Sequence, residues 1–456
     1  MKNIFPKLRP CRHSGTISAL KYGDNSTRLS AVVMGLKHLL NKQIAKGLLF
    51  LGFEVGYLVF MITKGFHLIS ELVTLGDQVQ GEVYNEAKGI YEYTSGDSSL
   101  TILLFGIATI GVTVLFIRLW QVNIISAYKI QCKVAKDLHL NTFKEDIQEL
   151  FDKRLHILLL FAPLTGILIF TILPLIFMIS MAFTNYSKID SKLILFDWVG
   201  LKNFIDILNF NSSLGQTFWS VAAWTIVWAV LATALNYILG MLLAIIINRK
   251  DTHGKSFWRF WFILSIAIPQ FVSLLIMKTM LQPSGAVNTL LLGSGLIDSP
   301  LPFLTNPTWA RATVIIINLW VGIPFTMIQV TGILQNIPHE LYESAKVDGA
   351  NSFVIFTKIT LPYMLFVTTP YLITQFTGNI NNFNVIYLLT GGAPTPVGST
   401  AGKTDLLVTW LYKLTIDQQY YNLGAVIGIL TFVILSIVSL ITYRSSGSYK
   451  NEEGFM

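Results

Sequence analysis

Charge is scarce in this chain of 456 residues: only 13% are Asp, Glu, Lys or Arg, whereas 53% are hydrophobic. A soluble protein carries about a quarter charged residues. Half that share leaves too little polar surface to cover a water-soluble globule, so most of the surface must face lipid. The net charge of +8 is spread around apolar segments. This distribution favours a membrane topology signal over a nucleic-acid surface.

Cysteine and clustered catalytic groups are also scarce. Cys11 and Cys132 are the two cysteines in the sequence, which excludes a framework of several disulfides and shows no metal-site spacing. The seven histidines are scattered, mostly outside the apolar segments. A membrane enzyme is therefore disfavoured. Because no apolar stretch follows the basic N-terminus until about residue 47, we expect no cleaved secretion signal.

Long apolar stretches are abundant. Eight are present, over residues 47–63, 100–119, 157–183, 218–247, 260–281, 312–334, 364–389 and 423–443. A helix of about 20 apolar residues crosses the hydrocarbon core with its backbone polar groups paired. The sequence therefore predicts an all-α polytopic membrane protein with eight transmembrane helices. The seventh stretch is the least apolar, because it contains Asn379, Asn381, Asn382 and Asn384.

The distribution of lysine and arginine predicts the orientation. They are frequent before the first stretch, between the second and third, and between the fourth and fifth. The first connection is instead acidic, with Glu71, Asp77 and Glu82 among its residues. Since cytoplasmic connections carry the excess of positive charge, both termini are expected in the cytoplasm. Residues 28–42 mix apolar and basic residues, which leaves open an interfacial helix or a juxtamembrane turn.

The connection between the sixth and seventh stretches has the pattern of a docking element. Pro338 suits the first turn of a helix, and Gly349 permits a tight turn. A second helix is predicted over residues 353–359, ending before Leu361 and Pro362. The sequence thus predicts a helix–turn–helix outside the membrane.

This connection resembles the coupling loop of the permease subunits of binding-protein-dependent ABC importers. Their signature is Glu-Ala-Ala, three residues, Gly, nine residues and Ile-x-Leu-Pro, and Ser344 replaces the first alanine here. The resemblance implies a type I permease core of six helices, over residues 155–456, with its cytoplasmic coupling loop at 336–362. Residues 1–154 would then be a cytoplasmic segment with two accessory helices. The residues assigned to ATPase coupling are Glu343, Ser344, Ala345, Asp348, Gly349, Ile359, Leu361 and Pro362.

The same resemblance implies the partners and the location. The chain would pair with a second permease subunit and two ATPase subunits in the bacterial plasma membrane, and would receive solute from an extracellular sugar-binding protein. No cofactor is expected on this chain, since ATP, with Mg, would be used by the partner ATPase. No catalytic residue, metal site or nucleic-acid partner is assigned.

Two further segments narrow the resemblance to the larger permease subunits of maltose and maltodextrin importers. Residues 318–324 read Asn-Leu-Trp-Val-Gly-Ile-Pro, and residues 379–383 read Asn-Ile-Asn-Asn-Phe. The external segment 185–216 is short, whereas enterobacterial members have a large periplasmic domain there. Carried over by position, the oligosaccharide contacts are Gln270, Asn318, Val321, Gly322, Phe325, Asn379 and Asn382.

The spacing of these residues is compatible with a site. Asn318, Gly322 and Phe325 are four and three residues apart and share a helix face. Asn379 and Asn382 are three apart and are also expected on one helix face. Two alternatives stay open: the amides could instead pair helices with each other, and the solute could be a different one. An ion-coupled transporter is disfavoured, because the six later stretches lack clear carboxylates.

Overall fold

The computed structural model describes residues 15–85, 88–188, 191–249 and 251–445. The chain forms two compact units. The first comprises residues 1–186 and 190–199, and the second comprises residues 187–189 and 200–456. The basic residues before Gly15, together with Cys11, lie outside the described residues.

The first unit is helical with one small hairpin. Its helices are α1 (Thr16–Tyr22), α2 (Asn25–Leu29), α3 (Leu36–Leu40), α4 (Ile44–Phe60), α5 (Phe66–Thr74), α6 (Ser99–Val134), α7 (Phe143–Phe151), α8 (Leu155–Ile167) and α9 (Leu173–Met181). π-Helical turns at Met61–Gly65 and Leu168–Ile172 join α4 to α5 and α8 to α9. Strands β1 (Gly81–Asn85) and β2 (Ile90–Thr94) pair antiparallel.

The second unit contains the remaining helices. They are α10 (Lys202–Leu208), α11 (Ser213–Asn248), α12 (Lys255–Ala267), α13 (Gln270–Met280), α14 (Ala286–Gly293), α15 (Pro307–Leu334), α16 (His339–Val347), α17 (Ser352–Ile355), α18 (Leu361–Ile380), α19 (Phe383–Leu389), α20 (Leu407–Tyr412) and α21 (Tyr421–Ser445). A π-helical turn at Phe356–Thr360 joins α17 to α18, and another at Lys413–Asp417 follows α20. Its central core lies around Trp228, Ala232 and Val314.

The membrane-spanning architecture confirms the predicted fold class. Within the described ranges, seven helices are long and apolar enough to cross a membrane, or eight if the bent pair α12 and α13 forms one span. That pair turns by 88°. The bend has a local cause: Pro269 disfavours helical geometry at the preceding residue, and Ile268 is extended with φ −80° and ψ 126°.

The seventh span is also interrupted. Helix α18 ends at Ile380, and α19 begins at Phe383. The side chain of Asn382 accepts a hydrogen bond from the Val385 backbone N–H at 3.2 Å, so it caps the new helix. Asn379 and Asn382 therefore lie on either side of a break, not on one continuous helix.

The segment before the first span is folded and tied to α6. The Asn123 amide donates to the Ser30 carbonyl at 2.8 Å and accepts from the Gly35 N–H at 3.0 Å. Residues 28–42 contain the end of α2, a turn and the short α3, so they do not form one interfacial helix. Glu54, a carboxylate within the first span, accepts a hydrogen bond from the Met34 backbone N–H at 2.8 Å.

Candidate substrate cavity and docking loop

A cavity of about 350 Å³ lies in the second unit, at the two places where spans are broken. It brings together all seven residues that sequence reasoning assigned to oligosaccharide contact: Gln270, Asn318, Val321, Gly322, Phe325, Asn379 and Asn382. The other lining residues are Asn236, Ser265, Ile266, Ile268, Pro269, Ser273 and Gln375. Among the described lining residues, none is charged.

Three elements place the polar groups. Gln270 is the first residue of α13, directly after the bend at Pro269. Asn318, Gly322 and Phe325 follow one face of α15, as their spacing predicts. Asn382 stands at the break between α18 and α19. Two interrupted spans and one continuous helix thus contribute amide side chains to the cavity wall.

Two hydrogen bonds between amide side chains join neighbouring elements at the cavity. The Asn382 Nδ2 donates to Asn318 Oδ1 at 3.5 Å, and Asn384 Nδ2 donates to Gln270 Oε1 at 3.4 Å. Both distances are at the long limit for a hydrogen bond, so these groups are weakly held. They retain capacity to bond a ligand.

Asn379 is held more firmly. Its Nδ2 donates to Thr233 Oγ1 at 3.0 Å, and its backbone carbonyl accepts from Trp228 Nε1 at 3.0 Å. These bonds join α18 to α11, which is the helix-pairing role that the sequence left open for asparagine. The structure therefore gives Asn379 a packing role while also placing it in the cavity wall.

Two buried amide atoms in the wall have unused hydrogen-bonding capacity. Within the described part of the chain, Asn318 Nδ2 and Asn236 Oδ1 have no hydrogen-bond partner. One is a donor and the other an acceptor. Leaving such a group unpaired costs about 1–3 kcal/mol. Both atoms belong to residues that line the cavity.

Sequence reasoning missed Asn236 and Gln375. Asn236 is on α11 and Gln375 on α18, and both line the cavity. The available signal was composition: each is a neutral amide within a long apolar stretch. Such groups are costly at membrane depth unless they are paired or functional.

The predicted docking loop is a helix–turn–helix. Helix α16 ends at Val347, and Gly349 has a φ of +81°. The Ala350 N–H donates to the Ala345 carbonyl at 2.9 Å, and the Gly349 N–H donates to the Lys346 carbonyl at 3.1 Å. This pair of bonds is a Schellman motif, which requires a left-handed residue after the helix.

One detail of the loop prediction is wrong: the second helix does not end before Leu361 and Pro362. Helix α17 continues through the π-helical turn Phe356–Thr360 into α18. The Leu361 N–H reaches back to the Phe356 carbonyl, and Pro362 occupies the first turn of α18. Proline has no N–H to donate, so Pro362 leaves the continuous helix without one backbone hydrogen bond directly after the π-helical turn.

The loop has a firm base and an exposed tip. The Tyr342 hydroxyl lies 3.2 Å from Thr360 Oγ1, and Ile359 and Leu361 pack against the buried cluster that includes Ile337. Glu343, Ser344, Asp348 and Gly349 are exposed, Ala345 is half-buried, and Pro362 is exposed. Val347 is 87% exposed and Phe353 is 73% exposed. Sequence reasoning did not assign these two apolar side chains to the loop surface.

An all-α bundle with a neutral cavity at two broken spans and a protruding helix–turn–helix defines a multi-pass membrane permease. Residues 236–447 match the family of binding-protein-dependent transport system inner membrane components. The chain belongs to this family, which confirms the interpretation as a permease subunit without its own ATPase.

Two relatives from Bacillus subtilis (strain 168) extend the match to almost the whole chain. The galactooligosaccharides transport system permease protein GanP is 38% identical over 93% of this chain and 98% of its own length. The maltodextrin transport system permease protein MdxF is 36% identical over 93% of this chain and 96% of its own length. A solved bacterial alginate ABC transporter, in complex with an alginate pentasaccharide-bound periplasmic protein, has a TM-score of 0.54 with 26% identity. It covers 65% of this chain and 95% of its own.

Proposed function

We propose that this permease imports neutral oligosaccharides of the maltose and maltodextrin type across the bacterial plasma membrane, with both termini in the cytoplasm. The observation that carries the proposal is the uncharged, amide-lined cavity at the broken spans. Its Asn318 Nδ2 and Asn236 Oδ1 are buried without a partner among the described residues.

The chemistry of the cavity supports a neutral sugar. Sugar hydroxyls both donate and accept hydrogen bonds, and amide side chains offer both functions at one site. Phe325 is 42% exposed in the wall and offers an apolar ring against which a sugar face can pack. One of the solved relatives is a transporter for the acidic polysaccharide alginate. The lining here holds no cation among its described residues to balance an acidic sugar.

The docking loop supports ATP-driven coupling. In this proposal, two partner ATPase subunits bind ATP with Mg, and one receives the loop through Glu343, Ser344, Ala345, Asp348 and Gly349. Ile359, Leu361 and Pro362 anchor the loop to the membrane domain, and the exposed Val347 and Phe353 add apolar contact. Closure of the ATPase pair would move the loop, and rigid-body rocking would open the cavity alternately to the two sides.

The other proposed partners are a second permease subunit and an extracellular sugar-binding protein. Within the described structure, no residue of the third span (Leu155–Met181) is buried by the rest of the chain. Such a helix is suited to contact lipid or another membrane subunit. The short segment 185–216 means that a binding protein would have to rest on small external loops.

Galactooligosaccharides are a second candidate substrate class. The observation that favours them is the similarity to GanP over 93% of this chain. Both candidates are neutral oligosaccharides, so both fit the amide-lined cavity. They differ in linkage and in the orientation of one hydroxyl on each ring.

Uptake measurements test the proposal. A strain that lacks the chain is complemented with the wild-type sequence, and uptake of labelled maltotetraose is compared with uptake of a labelled galactooligosaccharide. We expect maltotetraose uptake to be restored, and the Asn318→Ala variant to lower it by about tenfold, because a hydrogen bond inside a buried site is lost. Ile316→Ala, on the same helix and 63% exposed, is the matched control. Restored uptake of the galactooligosaccharide alone would favour the second candidate, and uptake of neither would refute both.

A further inference from the structure

A second pocket, of about 500 Å³, lies wholly within the first unit, far in sequence from the substrate cavity. Its polar lining includes four cationic residues, Lys46, Lys129, Lys133 and Arg154, and two acidic residues, Asp146 and Glu149. Phe50, Val122, Ile125, Ile130 and Leu140 form an apolar wall beside them. The pocket thus combines excess positive charge with hydrocarbon.

Two of the four cationic residues form salt bridges with the two acidic residues, and the other two do not. Arg154 pairs with Glu149 at 2.9 Å, and Lys46 pairs with Asp146 at 3.4 Å. Among the described residues, neither Lys129 nor Lys133 has a carboxylate within salt-bridge distance. These two lysines are four residues apart on α6 and share a face. They provide the positive charge that the pocket leaves unbalanced.

Lys133 is held by a built polar wall. Lys133 Nζ donates to Asn141 Oδ1 at 3.1 Å, and Asn141 Nδ2 donates to Glu149 Oε2 at 3.0 Å. Gln43 Nε2 donates to the Asn141 carbonyl at 2.8 Å. Asn141 therefore joins the start of the first span to α6 and α7, and it keeps Lys133 at the rim.

The pocket lies where the first apolar span begins. It takes Lys46 and Phe50 from the beginning of the first span, where the apolar stretch starts at residue 47. Val122, which lines the pocket, is 55% exposed, although it is apolar. An apolar wall with an exposed residue suits an amphiphile when it lies beside lysines that make no salt bridge with the described residues, since free phosphate would use only the lysines.

Helix α7 gives an independent indication of contact with the membrane surface. Phe143, Ile147 and Phe151 are spaced four residues apart on one face, and they are 53%, 39% and 60% exposed. Asp146 and Glu149 of the same helix line the pocket. A short helix with an exposed apolar face and a charged face is suited to lie in the interfacial plane.

We propose that this pocket binds the phosphate of an anionic phospholipid between Lys129 and Lys133, with an acyl chain along Val122 and Ile125. In the orientation proposed above, the lipid belongs to the cytoplasmic leaflet. Basic pockets between membrane helices on that side are a recognised setting for anionic headgroups. The site is independent of the transported solute, and it joins the segment before the first span to the lipid around the permease.

The test is lipid retention by the full chain, purified in detergent with the subunits that accompany it. Native mass spectrometry compares retained phosphatidylglycerol with retained phosphatidylcholine. We expect wild type to prefer phosphatidylglycerol, and the preference to fall about fivefold for Lys129→Gln and further for Lys129→Gln with Lys133→Gln. Replacing both lysines by arginine should retain the preference, because the charge is kept.

Lys136→Gln is the matched control, because Lys136 is exposed in the same segment but does not line the pocket. An equal loss in this control, or no loss in the double variant, would overturn the proposal in favour of general surface charge. Inorganic phosphate is the second probe. If it displaces the phosphatidylglycerol at millimolar concentration, the site binds free phosphate and the lipid assignment is wrong. If Lys133→Gln impairs folding, Lys129→Gln alone decides, because Lys129 is exposed and makes no salt bridge with another described residue.

Discussion

The amide of Asn236 on α11 occupies the space beside Gly322 on α15: a β-carbon at residue 322 would lie 2.2 Å from the Asn236 amide. Such a distance is far inside van der Waals contact. The two helices can approach here because Gly322 has no side chain. Asn236, whose Oδ1 has no hydrogen-bond partner among the described residues, is thereby held in the cavity wall.

Gly322→Ala is therefore expected to displace the Asn236 amide and to reduce oligosaccharide uptake by about tenfold or more, as loss of a buried hydrogen bond would. Gly332→Ala is the matched control. Residue 332 is on the same helix, and a β-carbon there meets no heavy atom within 4 Å. Because alanine favours helix by about 1 kcal/mol over glycine, the control should assemble at least as well as wild type. Equal uptake by the two variants would contradict the role of Asn236.

The next prediction separates the two roles of Asn382. Its Oδ1 caps α19, and its Nδ2 reaches Asn318 across the cavity. Asn382→Ser keeps a capping oxygen but removes the amide donor, so assembly should be normal while sugar uptake falls. Asn382→Leu also removes the cap, at about 1 kcal/mol, and should lower the amount of assembled complex as well. Uptake and the quantity of purified complex are measured together. Normal uptake by the serine variant would place the sugar elsewhere.

Much of this architecture could be predicted, because the relevant signals are local. Apolar length predicted the spans, and Gly349 marked the turn of the docking loop. The bend at Pro269 was not predicted, because residues 260–281 were expected to form one span. The continuity of the helix through Leu361 could not be predicted in the same way. It depends on the π-helical turn Phe356–Thr360, whose backbone geometry leaves no distinct pattern in the sequence.

The tertiary part of the site was harder to predict. The Glu54 carboxylate accepts a hydrogen bond from the backbone N–H of Met34. No residue pattern in the sequence reveals such a partner. Asn236 belongs to the cavity only because Gly322 faces it from another helix. The hydrogen bond from Asn379 to Thr233 likewise depends on packing between distant segments. Spacing can place residues on one helix face, but it does not say which face of another helix they meet.

The first unit should lose stability in mild acid because of His38. Burial lowers the pKa of the His38 imidazole from 6.5 to about 4, and the Lys46 charge lowers it further, while Asp146 raises it. The folded state thus favours neutral His38. As the pH falls from 6.5 towards 4, the unfolded chain binds a proton first, and stability on the order of 3 kcal/mol is lost.

Thermal unfolding of the purified protein across this pH range measures the effect. His38→Gln should flatten the pH dependence, whereas His67→Gln should not, because the His67 side chain is 73% exposed. An unchanged pH dependence in His38→Gln would show that another group titrates.

Asp24 does not contribute to the loss of stability between pH 6.5 and 4. Hydrogen bonding to Lys37 and Thr27 outweighs burial and lowers the pKa of Asp24 to about 2, so Asp24 loses its stabilising charge only below its ordinary value of 3.8.

Cysteine labelling tests the proposed orientation. In a variant without Cys11 and Cys132, single cysteines are placed at Asp298 and at Asn351, both of which are exposed. A thiol reagent that cannot cross the membrane should label position 298 in intact cells, and position 351 only after the membrane is opened. The expectation follows from the excess of lysine and arginine on the proposed cytoplasmic side. The reverse pattern of labelling would invert the topology and remove the docking loop from the ATPase side.

The last prediction concerns the turn of the docking loop. Gly349 has φ +81°, and a β-carbon there would meet no heavy atom within 4 Å, so backbone conformation alone limits substitution. A β-branched residue at this φ costs about 1–2 kcal/mol, whereas asparagine adopts it more readily. Gly349→Val should therefore distort the Schellman turn and lower both ATPase association and sugar-stimulated hydrolysis, while Gly349→Asn should retain most of each. The membrane domain should still insert and bind sugar in both variants, because the cavity lies on other elements.

Co-purification of the ATPase, sugar-stimulated ATP hydrolysis and sugar binding are measured on the same preparations. Valine and asparagine variants that couple equally well would show that this turn does not transmit the ATPase movement, and loss of sugar binding in the valine variant would point instead to general misfolding.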